Sequence, residues 1–120
     1  ICVCLNATDV RLVLQVCADY GLHFVVRAGG HSTAGFSGTN DVIMNVNDMK
    51  AVAVVPEPVA TRVWIGSGAE FGDINANLER FGYHLKGGAC PDLHQGGYMQ
   101  GGGYGWTPRI HDWHPTLSPT

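Results

Sequence analysis

Long apolar runs are missing from this 120-residue sequence. None approaches the ~20 residues that a membrane-crossing helix needs, so no membrane partner is expected. Positive charge is scarce too: 7 Lys and Arg against 10 Asp and Glu leave a net charge of −3, with no basic stripe. That removes the electrostatic footprint of a nucleic-acid binder. Charged residues make up 14% of the chain and apolar ones 45%, a balance that excludes a disordered polymer. The four cysteines, Cys2, Cys4, Cys17 and Cys90, are fewer than a small disulfide scaffold carries and show no C-x-x-C spacing. Neither an initiator Met nor a signal-peptide pattern opens Ile1-Cys2-Val3-Cys4-Leu5, a start that reads as the middle of a longer protein. Asn6-Ala7-Thr8 is a glycosylation sequon only on an exported chain, so the compartment stays open.

Glycine, in contrast, is in excess. The 17 glycines are about twice the usual share, and their clustering points to ligand-binding loops. A chain this long is one domain or part of one, and can bury roughly 65% of its unfolded surface.

Around the glycine clusters, strand and helix patterns alternate. A short strand is expected over 1–5. Thr8 is placed to cap a helix whose apolar positions Val10, Val13, Leu14, Cys17 and Ala18 or Tyr20 recur at helical spacing, with Asp9 in its first turn and Gly21 as its stop. The stripe Val10, Leu14, Cys17 belongs to the core, as do Cys2 and Cys4. Further strands are expected over 23–27, 42–46, 51–55 and 61–66, the last two paired around Pro56-Glu57-Pro58. A second helix is expected over 71–81, with Ile74, Leu78 and Phe81 on one face and Gly82 ending it. The order β-α-β-β-β-β-α predicts an α+β fold, a mixed β-sheet with flanking helices.

The first cluster is Arg27-Ala28-Gly29-Gly30-His31-Ser32-Thr33-Ala34-Gly35-Phe36-Ser37, directly after an apolar strand. Glycine permits positive φ and close backbone approach to a ligand. Hydroxyls and freed backbone N–H groups then offer donors to an anion such as a pyrophosphate. His31 is placed to touch that ligand. The second cluster runs from Gly87 to Trp106 and includes Gly87-Gly88-Ala89-Cys90-Pro91-Asp92 and Gly101-Gly102-Gly103-Tyr104-Gly105. Neither is a dinucleotide fingerprint. Gly66-Ser67-Gly68-Ala69-Glu70-Phe71 has Phe where the third glycine belongs, and Lys86 is followed by Gly87 rather than by the Ser or Thr of a phosphate loop. The residues by themselves describe two backbone cradles, one carrying His31 and one carrying Cys90.

Four motifs stand in order: Arg27-Ala28-Gly29-Gly30-His31-Ser32, Val63-Trp64-Ile65-Gly66-Ser67-Gly68-Ala69, Gly88-Ala89-Cys90-Pro91, and Gly96-Gly97-Tyr98-Met99-Gln100-Gly101-Gly102-Gly103-Tyr104-Gly105. Together they resemble the FAD-binding domain of the vanillyl-alcohol-oxidase or p-cresol-methylhydroxylase (PCMH) type, its berberine-bridge-enzyme-like branch in particular. The resemblance runs from about Val3 to Ile110. It implies that 1–110 is the first half of a PCMH-type FAD-binding domain and 111–120 a divergent tail. It also implies bound FAD. In the family the histidine matching His31 bonds to the methyl group on the flavin's benzenoid ring, and in doubly tethered members the cysteine matching Cys90 bonds to the neighbouring ring carbon. Imidazole and thiolate are both nucleophiles suited to those roles. Arg27 and Ala28 would bind the cofactor, and the loop from Gly29 to Ser37, with Gly29, Gly30, His31, Ser32, Thr33, Gly35 and Ser37, would hold its pyrophosphate. Gly97, Gly101, Gly102, Gly103 and Gly105 would let the chain pass close to the cofactor. The chain departs from the plant branch after Cys-Pro, where Asp92-Leu93-His94 replaces Thr-Val-Gly; that departure bears on the second bond.

The activity so implied is that of an oxidoreductase taking a hydride from an alcohol, sugar or secondary metabolite onto covalently held FAD, with dioxygen as acceptor. The alternative is a non-catalytic flavin-fold fragment or binding module without covalent cofactor. Plainer readings also stand beside the site residues: a structural histidine at 31 and an inert buried thiol at 90. The end, His111-Asp112-Trp113-His114-Pro115-Thr116-Leu117-Ser118-Pro119-Thr120, matches nothing in the family pattern and is expected to be a truncation, a frameshifted end or a cloning artefact. The catalytic base and the pocket for the small-molecule substrate then belong to the longer parent, and the chain alone is expected to be inactive. Cys2-x-Cys4 with His111-x-x-His114 lacks recognised ligand spacing, so no metal is expected. His23, His84 and His94 are expected to be structural or solvent-facing. Tyr98, Tyr104 and Trp106 are candidates either to line a flavin pocket or to pack over glycines.

Overall fold

The structure, a computed structural model, describes residues 1–55, 62–103 and 105, together with the backbone of 117–119. Strand β1 (Cys2–Val3) leads into helix α1 (Ala7–Tyr20). Asn6, not Thr8, caps that helix: its Oδ1 accepts from the N–H groups of Thr8 at 2.8 Å and Asp9 at 3.2 Å. Asp9, in the first turn, reaches back to accept from the Leu5 N–H at 2.8 Å. Gly21 ends the helix as predicted, in a left-handed conformation with φ 62°. The buried row is Val10, Val13 and Cys17, at i, i+3 and i+7; Leu14, expected in that row, is 40% exposed.

Strands β2 (Phe24–Arg27) and β3 (Val42–Asn45) complete a three-stranded parallel sheet in the order β1-β3-β2. Met44 is the register point, opposite Cys2 on one side and Val26 on the other. Because the strands are parallel, their carboxyl ends lie along one edge. The glycine loop after β2 and the segment Val46-Asn47 after β3 both emerge there. Open α/β sheets bind ligands outside that edge.

Strands β4 (Val52–Val55) and β5 (Arg62–Ile65) form an antiparallel pair, and the turn at Pro56-Glu57-Pro58 lies outside the described residues. Helix α2 (Phe71–Glu79) stops short of the expected 81, closing in tight turns from the Phe81 N–H to Leu78 O and from the Gly82 N–H to Glu79 O. Phe81 is consequently 55% exposed, while Phe71, Ile74 and Leu78 are buried. Strand β6 (Tyr83–Leu85) and helix α3 (Gln95–Gly101) are additions to the predicted order, as is β7 (Leu117–Pro119), which pairs antiparallel with β6. The α+β class and the mixture of parallel and antiparallel strands are as expected. Among the described residues no helix is long and apolar enough to cross a membrane.

Two apolar cores hold these layers. One gathers Ala69, Phe71, Ile74, Leu78, Leu85 and Tyr98; the other, smaller, gathers Cys4, Met44 and Val46 under α1. Full burial of Ile74 and Leu78 contributes roughly 1.5–3 kcal/mol each. Burial, with Asp9 and Cys2 nearby, pushes the Cys4 thiol above its usual range, so it stays protonated and inert.

Candidate functional site

The loop after β2 leaves the sheet at Arg27 and folds through two successive turns. The Gly35 N–H donates to Ser32 O at 3.3 Å, and the Gly38 N–H to Gly35 O at 3.1 Å. Gly30 and Gly35 take φ of 74° and 80°, which any other residue would adopt only under strain. The Arg27 side chain folds back beside Gly30, where a β-carbon would sit 3.0 Å from its Nε. Ser32 Oγ accepts from the Phe36 N–H at 3.4 Å, and Thr33 and His31 are exposed. Among the described residues, none accepts a hydrogen bond from the backbone N–H groups of Gly30, His31, Ser32 or Thr33. Consecutive free donors beside a guanidinium suit an anion, and a pyrophosphate fits that donor set.

The second predicted residue, Cys90, is a free, exposed thiol in the turn Cys90–Leu93, closed by the Leu93 N–H on Cys90 O at 3.2 Å. Two residues on, Asp92 Oδ2 approaches His31 Nε2 at 3.8 Å. The loops carrying the two predicted attachment residues therefore meet.

His94 joins them, a site neighbour that the sequence pattern does not mark. Its ring is 9% exposed, so it is structural rather than solvent-facing. Nδ1–H donates to Asp92 O at 2.9 Å, and Nε2 lies 2.6 Å from Asn47 Oδ1 and 3.7 Å from Glu70 Oε1. Glu70 also receives the Lys50 ammonium at 2.6 Å. That hydrogen bond, against some desolvation, holds the Glu70 carboxyl below its usual range and Lys50 above its own. Gly29 is small for a reason: a β-carbon there would overlap the His94 ring and meet His31 Cδ2 at 3.0 Å. Only spatial neighbours reveal this role, since Asn47 and Gly29 are remote from His94 in sequence.

The later glycines divide into two groups. Gly97, Gly101 and Gly102 face open space. Gly103 lies against the Tyr98 ring and Gly105 against the Gly87 carbonyl, so packing within the chain already requires their small size. Tyr98 itself sits edge-to-face on Phe71, with ring centroids 4.8 Å apart. Burial raises its phenol pKa. Its O–H, Gln95 Oε1 and Lys86 Nζ are buried with no hydrogen-bond partner among the described residues. Tyr104, Trp106, His111 and His114 lie outside the described residues, which contain no cluster of three metal-ligating side chains.

Comparison with known proteins follows the same outline. The sequence family described as FAD binding domain matches residues 1–115. Berberine bridge enzyme-like 14 of Arabidopsis thaliana is 33% identical over 104 residues, covering 82% of this chain and 19% of its own length. The chain spans about a fifth of the length of the curated relatives it matches. Among solved structures, 6-hydroxy-D-nicotine oxidase from Arthrobacter nicotinovorans superimposes with a TM-score of 0.82 at 22% identity, over 98% of this chain and 29% of that one. Glucooligosaccharide oxidase from Acremonium strictum, described with a 6-S-cysteinyl, 8α-N1-histidyl FAD, gives a TM-score of 0.80 at 23% identity, over 98% of this chain and 28% of that one.

Proposed function

The chain belongs to the FAD binding domain family, and from that premise we propose that it forms the cofactor-holding part of a FAD-dependent oxidoreductase, with FAD bonded to His31 and also to Cys90. Bound FAD would supply a two-electron acceptor for a hydride from an alcohol, sugar or secondary metabolite, with dioxygen as the final acceptor. The chain's own residues hold it. The backbone N–H groups from Gly30 to Thr33, with Arg27 beside them, take the pyrophosphate; Ser32, Thr33 and Ser37 add hydroxyl donors. Ala28 and Gly29 set the floor of the loop, and Gly35 its return. Gly97, Gly101 and Gly102 leave the approach to the cofactor open on the other side, while Gly103 and Gly105 keep that segment folded.

One observation carries the reading. The donor loop bearing His31 and the turn bearing Cys90 converge at a single point, the 3.8 Å approach of His31 to Asp92. Two nucleophiles on converging loops suit a cofactor tethered twice. The test is direct. After expression with flavin supplied, the protein is denatured in acid and inspected for yellow colour and added FAD mass. Flavin is expected to remain on peptides containing His31, to drop to one bond in Cys90→Ala, and to be lost from the 31 peptide in His31→Ala. Colourless protein under these conditions would support the second reading, a flavin-fold module without covalent cofactor.

A further inference from the structure

We propose that Asp92 is a positioning residue for His31: its carboxylate holds the Nε2 edge of the ring inward, so that Nδ1 is the atom presented to the cofactor. The inference rests on the flavin reading above and adds the residue that orients the ring; Nδ1 is the nitrogen of the N1-histidyl linkage described for glucooligosaccharide oxidase. Two contacts orient the ring. Nε2 faces Asp92 Oδ2 at 3.8 Å, and the adjacent atom, Cδ2, is the part of the ring nearest Gly29. The Cδ2–Nε2 edge is thus turned toward Gly29 and Asp92, and the opposite edge, which carries Nδ1, points away from both contacts.

An exposed carboxylate–imidazole approach of this length would direct little if both side chains were free to wander. Here the carboxylate's backbone is pinned. Asp92 O accepts from the buried His94 ring at 2.9 Å, and His94 is anchored through Nε2 to Asn47, just beyond β3. β3 lies beside β2, which carries the loop of His31. The clamp therefore references His31 to the sheet edge by a route independent of its own loop.

The chemistry follows from the tautomer. A neutral imidazole whose proton sits on Nε2, donating toward Asp92, leaves the Nδ1 lone pair free as the nucleophile. Attachment forms one bond from Nδ1 to the benzenoid methyl carbon and breaks one methyl C–H bond. The imidazole proton leaves from Nε2 past Asp92 to water. The two electrons released pass through the flavin to dioxygen, which takes up two protons and departs as hydrogen peroxide.

Nitrogen-15 NMR of the full chain without flavin reads the clamp alone. The Nε2–H tautomer of His31 is expected to dominate, to lose its preference in Asp92→Ala, and to persist in Asp92→Asn, whose amide oxygen still accepts. Asp92 is exposed, so neither variant disturbs the cores. With FAD supplied, Asp92→Ala is expected to slow covalent incorporation at His31 about tenfold, with Asp92→Asn restoring most of the rate. Linkage mapped to Nε2 in the parent chain, or an unchanged tautomer and rate in Asp92→Ala, would overturn the proposal. A tautomer bias that depends on Asp92, with no covalent flavin in any variant, would support the clamp and overturn the flavin reading instead.

Discussion

At the scale of single residues, the polar chain Lys50–Glu70–His94–Asn47 decides how the site responds to pH. The Lys50 ammonium hydrogen-bonds Glu70 at 2.6 Å, and with His94 adding to the attraction the Glu70 carboxyl is held low. A carboxylate whose pKa is lower folded than unfolded stabilises the fold above its unfolded value, about 4.3, and that stabilisation fades as pH falls through the folded value. Lys50, raised by the same contact, loses its share only as pH climbs past about 10.4. Between these limits the pair is intact. Lys50→Met is therefore expected to melt below the parent chain at pH 7, with the gap closing as the pH drops under about 4. Thermal melts across pH 7 to 3 read this. A gap of constant size would mean that the lost methylene packing, and not the ion pair, is responsible.

The elements were legible to different degrees, for physical reasons. Helix α1 carries its own start and stop, and Gly21 terminates it as expected; the cap was misplaced by two residues because Asn6 and Thr8 are both good capping residues. Leu14 reads as core in the sequence because an i, i+4, i+7 stripe and an i, i+3, i+7 stripe look alike until the sheet selects one. Helix α3 was hidden. Three of its seven residues, Gly96, Gly97 and Gly101, oppose helix formation, so local propensity spoke against it. Tertiary contacts make it: the Gln95 N–H on Ala69 O and the Gly96 N–H on Ser67 O, both at 2.9 Å. The glycine loop around His31 was readable because its chemistry is local. The burial of His94 depends on Asn47, 47 positions away, and no local pattern encodes it. Within α3, Gly97 offers a contrast that separates packing from cofactor approach. Its side-chain position is empty, so Gly97→Ala is expected to raise the stability of the flavin-free chain by about 0.5–1 kcal/mol while lowering flavin retention. Gly103→Ala, at φ 33° and against the Tyr98 ring, is expected to destabilise the chain itself by at least about 1 kcal/mol. Melts and flavin retention measured side by side distinguish the two. Equal flavin retention in Gly97→Ala and the parent would remove Gly97 from the site.

On the scale of the whole molecule, the apolar surface is unevenly covered. The inner row of α1 packs on the sheet, but Leu12, Val16 and Tyr20 form a neighbouring row at i, i+4 and i+8, exposed by 56%, 50% and 76%. An apolar groove lined by Cys2, Leu12, Val13, Val16, Cys17 and Val42 runs beside it. A surface helix in a closed globular protein covers its apolar stripe, and here the stripe widens past the row that the sheet covers. Contiguous apolar surface of this kind drives association in water. The chain is accordingly expected to bind hydrophobic dyes and to self-associate as concentration rises. Leu12→Gln with Val16→Gln should suppress both while shifting stability by no more than about 0.5 kcal/mol, since neither side chain supports a core. Sedimentation velocity over a concentration series gives the first readout and dye fluorescence the second. If the parent chain stays monomeric and dye-free throughout, the outer row of α1 is not an adhesive surface, and the amphipathic argument for it fails.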